Sequence, residues 1–266
     1  MKKKLLIIIP IAAAVIAAWL AFCGYQWSWG PFVKLHDVKT ASLEGNGEKY
    51  SLDNTPENAD SPIEGKTVLF LGSSVTYGSA SGGVSFADYI EKRDGCEMIK
   101  SAVSGTTLVE SGIDSYVSRL KKLDVEKADL LVCQLSTNDA SQKKELGKII
   151  ESKNLNDFDT KTVAGAIEYI ICYAKEKWNC PVIFYTNPRY DSDLYGEMVD
   201  ILKEAEAKWG ISVIDMWNDA ELNAALNKNT ALYMADKIHP TKAGYLEIWT
   251  PFMEKTVFGV MKEEAK

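Results

Sequence analysis

A hydroxyl becomes a nucleophile when an imidazole takes its proton and a carboxylate orients the imidazole. This chain of 266 residues offers few ways to assemble them, because it has only two histidines, His36 and His239. His239 stands in Asp236-Lys237-Ile238-His239-Pro240, and a spacing of three on a turn lets carboxylate and imidazole project to one side. The carboxylate would keep Nδ1 protonated and leave Nε2 free to take a proton from a hydroxyl. A hydroxyl is on offer at residues 67–78, Thr-Val-Leu-Phe-Leu-Gly-Ser-Ser-Val-Thr-Tyr-Gly, where an unbroken apolar run ends in a small polar loop. Each piece also has a plain structural reading: a Ser/Gly turn after a core strand, and an aspartate capping the turn ahead of a helix. His36 lies in a polar stretch without periodicity and reads as a surface histidine.

Two further stretches offer donors for a developing oxyanion. In Ser104-Gly105-Thr106-Thr107, Gly105 can present its backbone N–H with no side chain in the way. In Ser136-Thr137-Asn138-Asp139, the Asn138 amide can supply a second hydrogen bond. Both stretches are also ordinary turn formers.

These groups can meet only if a scaffold brings the ends of several elements together. Apolar runs at 68–71, 97–103, 130–135, 181–186 and 211–216 read as strands. Amphipathic stretches near 84–94, 112–123, 160–178, 192–209 and 241–264 read as helices, the last kinked or split by Pro251. Alternation of this kind predicts an α/β domain built on a parallel sheet, whose ligands sit at the carboxyl ends of the strands. Each candidate block follows such a strand or precedes the final helix.

Composition removes other functions. The net charge is −7 and the lysines are scattered, so no nucleic-acid partner is expected. Five cysteines without a C-x-x-C pair predict no structural metal, and no cofactor is expected. Cys172 and Cys180 flank a helix-to-strand turn and could bridge in an oxidising compartment. The glycines at 78–83 lack the G-K-[ST] of a phosphate loop, and Thr76 breaks the G-x-S-x-G of an α/β-hydrolase elbow.

The N-terminus points to a membrane. Lys2, Lys3 and Lys4 precede eighteen uncharged residues, 5–22, longer than the apolar core of a signal peptide. With Trp19, Trp27 and Trp29 as interfacial anchors, residues 1–27 read as an anchor or signal segment, the uncleaved anchor being favoured. Residues 28–64, with Pro31, Pro56 and Pro62, read as a linker or loose arm, and residues 65–266 as the catalytic domain facing outward.

Taken in order, Gly72-Ser73-Ser74-Val75-Thr76, Gly105, Asn138 and Asp236-x-x-His239 resemble the SGNH, or GDSL-type, hydrolases. The resemblance covers about residues 66–255. It implies a three-layer α/β/α sandwich of flavodoxin-like form with a five-stranded parallel sheet, and ester hydrolysis through an acyl-enzyme. By it, Ser74 is the nucleophile, His239 the base and Asp236 its orienting acid; the oxyanion donors are Ser74, Gly105 and Asn138. Ser73 stands where the family commonly has aspartate. The expected activity is extracytoplasmic removal of short acyl groups, acetyl first, from a small-molecule or carbohydrate ester. The alternatives are a lipase-type esterase, an O-acyltransferase, or a silent glycan- or lipid-binding module. Tyr77, Tyr190, Tyr195 and Trp217 fall near strand ends, as sugar platforms or as packing.

Overall fold

The computed structural model describes residues 2–27, 31–32 and 34–264, without the side chains of residues 2–8, 26 and 27. Five strands form at the five apolar runs: β1 (Thr67–Gly72), β2 (Glu97–Ala102), β3 (Leu130–Gln134), β4 (Val182–Tyr185) and β5 (Ser212–Ile214). They make one sheet in the order β2-β1-β3-β4-β5, parallel at every pairing.

The absence of alternation in β1 now has its reason. Leu69 and Leu71 point into one core layer, while Val68 and Phe70 point into the other, and all four are fully buried. Each such burial contributes roughly 1.5–3 kcal/mol. The chain leaves β1 towards β2 on one side and returns to β3 on the other, so the strand order reverses beside β1. The carboxyl ends of β1 and β3 therefore border the crevice where sheets of this order bind ligands.

Helices cover both faces, and their starts are written in side chains that accept otherwise unpaired backbone N–H groups. A short helix, α3 (Ser74–Tyr77), opens the loop after β1. Ser85 and Asp88 form a capping box on α4 (Phe86–Asp94), and Ser115 caps α5 (Tyr116–Lys122). After β3 comes the short α6 (Thr137–Ser141), capped by Ser136. Thr162 and Ser192 cap α7 (Val163–Trp178) and α8 (Asp193–Trp209). The expected final helix is not split at Pro251 but runs on through it. A π-helical turn, Tyr245–Trp249, precedes the C-terminal helix Thr250–Glu264, and Pro251 has no N–H to give the carbonyl four residues back.

The N-terminal region departs from expectation. The stretch read as a linker is structured from Lys34 onward: α2 (Lys34–Ala41) is followed by three 3₁₀ turns, Glu44–Asn46, Glu48–Tyr50 and Leu52–Asn54. Gly45 packs so closely on the backbone of Leu232 and the side chain of Thr241 that a Cβ would overlap both. Asn46 donates to the Ala80 carbonyl at 2.7 Å and accepts from the Lys242 N–H at 2.8 Å. Polarity and prolines concealed a segment held by close backbone approach, by side-chain amides such as Asn46 and Asn58, and by the buried Tyr50 and Ile63.

Residues 2–27 form a helix, α1 (Lys2–Trp27), interrupted by Pro10. Among the described residues no helix is long and apolar enough to cross a membrane. The expected span begins at residues 5–8, whose side chains lie outside that description, as do the Trp27 side chain and all of Trp29. All five cysteines are free thiols. Cys172 and Cys180 form no bridge, and Cys172 Sγ instead lies 3.4 Å from the Lys153 carbonyl and the Glu176 carboxylate.

Candidate active site

The loop after β1 separates the two adjacent serines. A side chain at Gly72 would collide with Thr76, so only glycine lets the chain turn here. Ser73 turns inward and is fully buried: its N–H donates to Gln134 Oε1 at 2.9 Å and its hydroxyl to the same oxygen at 3.3 Å. Thr76 Oγ1 donates to that oxygen at 2.9 Å and lies 2.6 Å from the Tyr185 hydroxyl. Ser73, where the family pattern has aspartate, is therefore a neutral strut against Gln134. Ser74 opens α3 with its side chain facing the crevice, and its N–H belongs to the first turn, which a helix leaves unpaired.

Ser74 Oγ lies 2.8 Å from His239 Nε2, although the two are 165 residues apart. On the other side of the ring, His239 Nδ1 lies 2.8 Å from Asp236 Oδ2 and 3.0 Å from Oδ1. Asp236 Oδ1 also accepts the N–H groups of Ile238 and His239, each at 2.8 Å. Burial pushes the Asp236 carboxyl up, but the bond to His239, its charge and the two backbone donors prevail and bring the pKa down to about 2. An ionised carboxylate on Nδ1 fixes the proton there and leaves Nε2 as the acceptor for the serine hydroxyl.

The loops after β2 and β3 close the other wall. Gly105 has φ +79°, a left-handed conformation that suits glycine, and nothing lies within 4 Å of where its Cβ would be. Asn138, on α6, donates one amide hydrogen to the Thr106 carbonyl at 2.9 Å, which leaves the second available. Beneath it the buried Asp139 accepts from the N–H groups of Leu108 at 2.6 Å and Val109 at 3.1 Å. Burial raises the Asp139 pKa against these hydrogen bonds. Asp139 and Asn138 together stitch the two loops into one wall.

Ser74, Gly105, Asn138, Asp236 and His239 thus line a single pocket of about 430 Å³. A larger and more open cleft of about 650 Å³ lies between Arg189 and Trp217, but its lining includes neither histidine. His36 corrects an expectation: α2 brings it to the rim of the 430 Å³ pocket, with Nδ1 3.1 Å from the Tyr25 carbonyl. The aromatic candidates divide. Tyr195 is fully buried, its hydroxyl donating to the Leu135 carbonyl at 3.0 Å, and Trp217 packs on it at 5.1 Å. Tyr77 is exposed but lies outside this pocket, and Tyr190 lines a neighbouring cavity that reaches Asp236. Among the described residues no group of three or more His, Cys, Asp or Glu side chains is arranged to hold a metal ion.

Residues 70–246 match the model of the GDSL-like Lipase/Acylhydrolase family. Among solved structures, a protein of Lactobacillus plantarum superposes with a TM-score of 0.61 at 20% identity, covering 73% of this chain and 97% of that one. An acetyl xylan esterase superposes with a TM-score of 0.51 at 15% identity, covering 72% and 99% respectively. A family two carbohydrate esterase of Clostridium thermocellum, solved with cellohexaose, has a TM-score of 0.50 at 15% identity and covers 75% and 66%. At such identities these likenesses speak for the fold. A search of curated proteins gave no match. The chain belongs to the GDSL-like lipase/acylhydrolase family and is by class a carboxylic ester hydrolase.

Proposed function

We propose that this family member removes short acyl groups, acetyl first, from hydroxylated carbohydrate through a Ser74-His239-Asp236 relay. One observation carries the reading: 2.8 Å from Ser74 Oγ to His239 Nε2, and 2.8 Å from Nδ1 to Asp236. His239 Nε2 takes the hydroxyl proton as Ser74 Oγ attacks the ester carbonyl. The oxyanion of the tetrahedral intermediate is met by the N–H groups of Ser74 and Gly105 and by the Asn138 amide. Collapse breaks the bond to the alcohol, which leaves with the proton from His239, and the acyl group stays on Ser74. Water repeats the cycle, His239 taking its proton, and releases the carboxylic acid with the serine restored.

The substrate class follows from the walls. Beside Ser74 the pocket is lined by the small side chains of Ser79, Ser104, Thr137 and Ser141. Such a lining suits a hydroxylated leaving group and a small acyl group better than a long alkyl chain. Likeness to an acetyl xylan esterase and to a carbohydrate esterase solved with cellohexaose points the same way. The three lysines and the uncharged run at 5–22 support an extracytoplasmic setting, with the N-terminal segment at a membrane. The test is hydrolysis of aryl acetate, butyrate and octanoate and of acetylated xylan, with Ser74→Ala in parallel. We expect the rate to fall as the acyl chain lengthens and Ser74→Ala to lose at least about 10⁴-fold in kcat. Equal rates for Ser74→Ala and the parent would remove the reading.

A further inference from the structure

Behind the nucleophile loop lies an arginine with an unusual set of partners. Arg119, on α5, donates Nη2 to the Gly72 carbonyl at 2.7 Å. Its Nη1 donates to the Ser101 carbonyl and, at 2.7 Å, to the Ser101 hydroxyl, while Nε donates to the Asp114 carbonyl at 2.9 Å. The Tyr116 ring lies 5.2 Å from Cζ. Among the described residues no carboxylate forms an ion pair with it. A half-buried cation that bonds to backbone carbonyls is doing something other than neutralising an acid.

Those carbonyls belong to the two strand ends that carry the backbone donors. Gly72 ends β1, directly before Ser73 and Ser74; Ser101 is next to last in β2, four residues before Gly105. The Gly72–Ser73 peptide is held at both edges. Its carbonyl accepts from Arg119 and, at 3.3 Å, from the Val103 N–H, while its N–H donates to Gln134 at 2.9 Å. A peptide plane fixed in this way orients the next one, which carries the Ser74 N–H.

We infer that Arg119 is a positioning residue for ester cleavage, its planar fork holding the ends of β1 and β2 so that the Ser74 and Gly105 N–H groups converge on one oxyanion. Lysine cannot reproduce this, since a single ammonium nitrogen cannot span two carbonyls with a rigid fork. The inference rests on the proposed reaction, and the experiment keeps the two apart.

Parent, Arg119→Lys, Arg119→Ala and Ser101→Ala are compared on one aryl acetate, with kcat and KM separated. Each is also followed by thermal unfolding and by the rate at which a phosphonate labels Ser74. Arg119→Lys is expected to lose about 10- to 100-fold in kcat, the scale of a displacement on the order of 1 Å, with KM within about twofold. Labelling should slow in proportion, and millimolar guanidinium, well below denaturing levels, should restore part of the Arg119→Ala activity. Ser101→Ala, which removes one of the fork's acceptors, should lose severalfold in kcat alone. If Arg119→Lys melts earlier but keeps parental kcat and labelling, Arg119 is a structural brace and the inference is overturned. If both Arg119 variants fail to fold, Ser101→Ala decides, and parental kcat there overturns it. A parent that neither hydrolyses the ester nor labels at Ser74 overturns the proposed function itself.

Discussion

The two halves of the site are built in different ways. Ser74, Gly105 and Asn138 sit at the ends of three adjacent strands, and their supports are buried or half-buried and join elements distant in sequence: Gln134 under Ser73, Arg119 behind Gly72 and Ser101, Asp139 under Leu108 and Val109. Asp236 and His239 sit on a loop outside the sheet, and its ties are mostly local. Asp236 bonds to residues two and three positions on, Ala235 N–H donates to the His239 carbonyl at 2.9 Å, and Met234 bridges Pro240. The first half is part of the core, whereas the second is a compact loop seated against it. Substitutions in the first should therefore disturb stability and catalysis together, and substitutions in the second should disturb mainly catalysis.

The largest separation of the two effects is expected at Asp236. Asp236→Asn should lower kcat by about 10⁴-fold, because an amide no longer fixes the imidazole tautomer. Because folding depresses its pKa, Asp236 also contributes some stability at neutral pH, discounted by its half-exposed position, so the unfolding temperature should drop only modestly; a drop as large as that of a buried support would break the distinction. In the parent the carboxylate stays ionised down to about pH 2, so its own protonation does not limit kcat on mild acidification.

Asn138→Ala is next, with an expected loss of about 10²-fold in kcat, or roughly 3 kcal/mol. Because Asn138 also holds the Thr106 carbonyl, this variant should melt earlier as well, by roughly 2–4 °C for each kcal/mol lost. Unchanged melting would show the wall to be less integral than argued.

The smallest effect sharpens the contrast from outside both halves. Asp94, at the end of α4, is buried, and desolvation lifts its pKa to about 6 despite the Asn58 amide at 2.7 Å. A carboxyl raised on folding binds its proton more tightly in the native state. It therefore weakens the fold above about pH 6 and ceases to do so as the pH falls towards its unfolded value. Asp94→Asn should raise the unfolding temperature by about 2–4 °C at pH 7.5, with the gain shrinking towards pH 5 and kcat unchanged throughout.

Much of this arrangement was legible in the residues. β1 was visible because burial on both faces leaves no polar position between 68 and 71, and Ser74, Gly105, Asn138, Asp236 and His239 stood out as candidates through their places after strands or before the final helix and their resemblance to the family's blocks. What could not be read were the partners. Gln134 lies in a run that reads only as a strand and Arg119 in a stretch that reads only as a helix, and nothing singles either out. Nothing local joins Gln134 to Ser73 across 61 residues or Arg119 to Gly72 across 47. His36 and the arm were missed for a related reason, since Gly45 and Asn46 act through close approach and a single amide and leave no apolar pattern.

That arm sets the length of the working unit. The family match begins at residue 70, yet the segment bearing His239 rests on Gly45 and Asn46. The portion that relatives share and the portion that must fold together are thus of different extent. A graft of the shared portion into another protein would carry Ser74 with its hydrogen-bonded supports, but leave His239 without part of its footing.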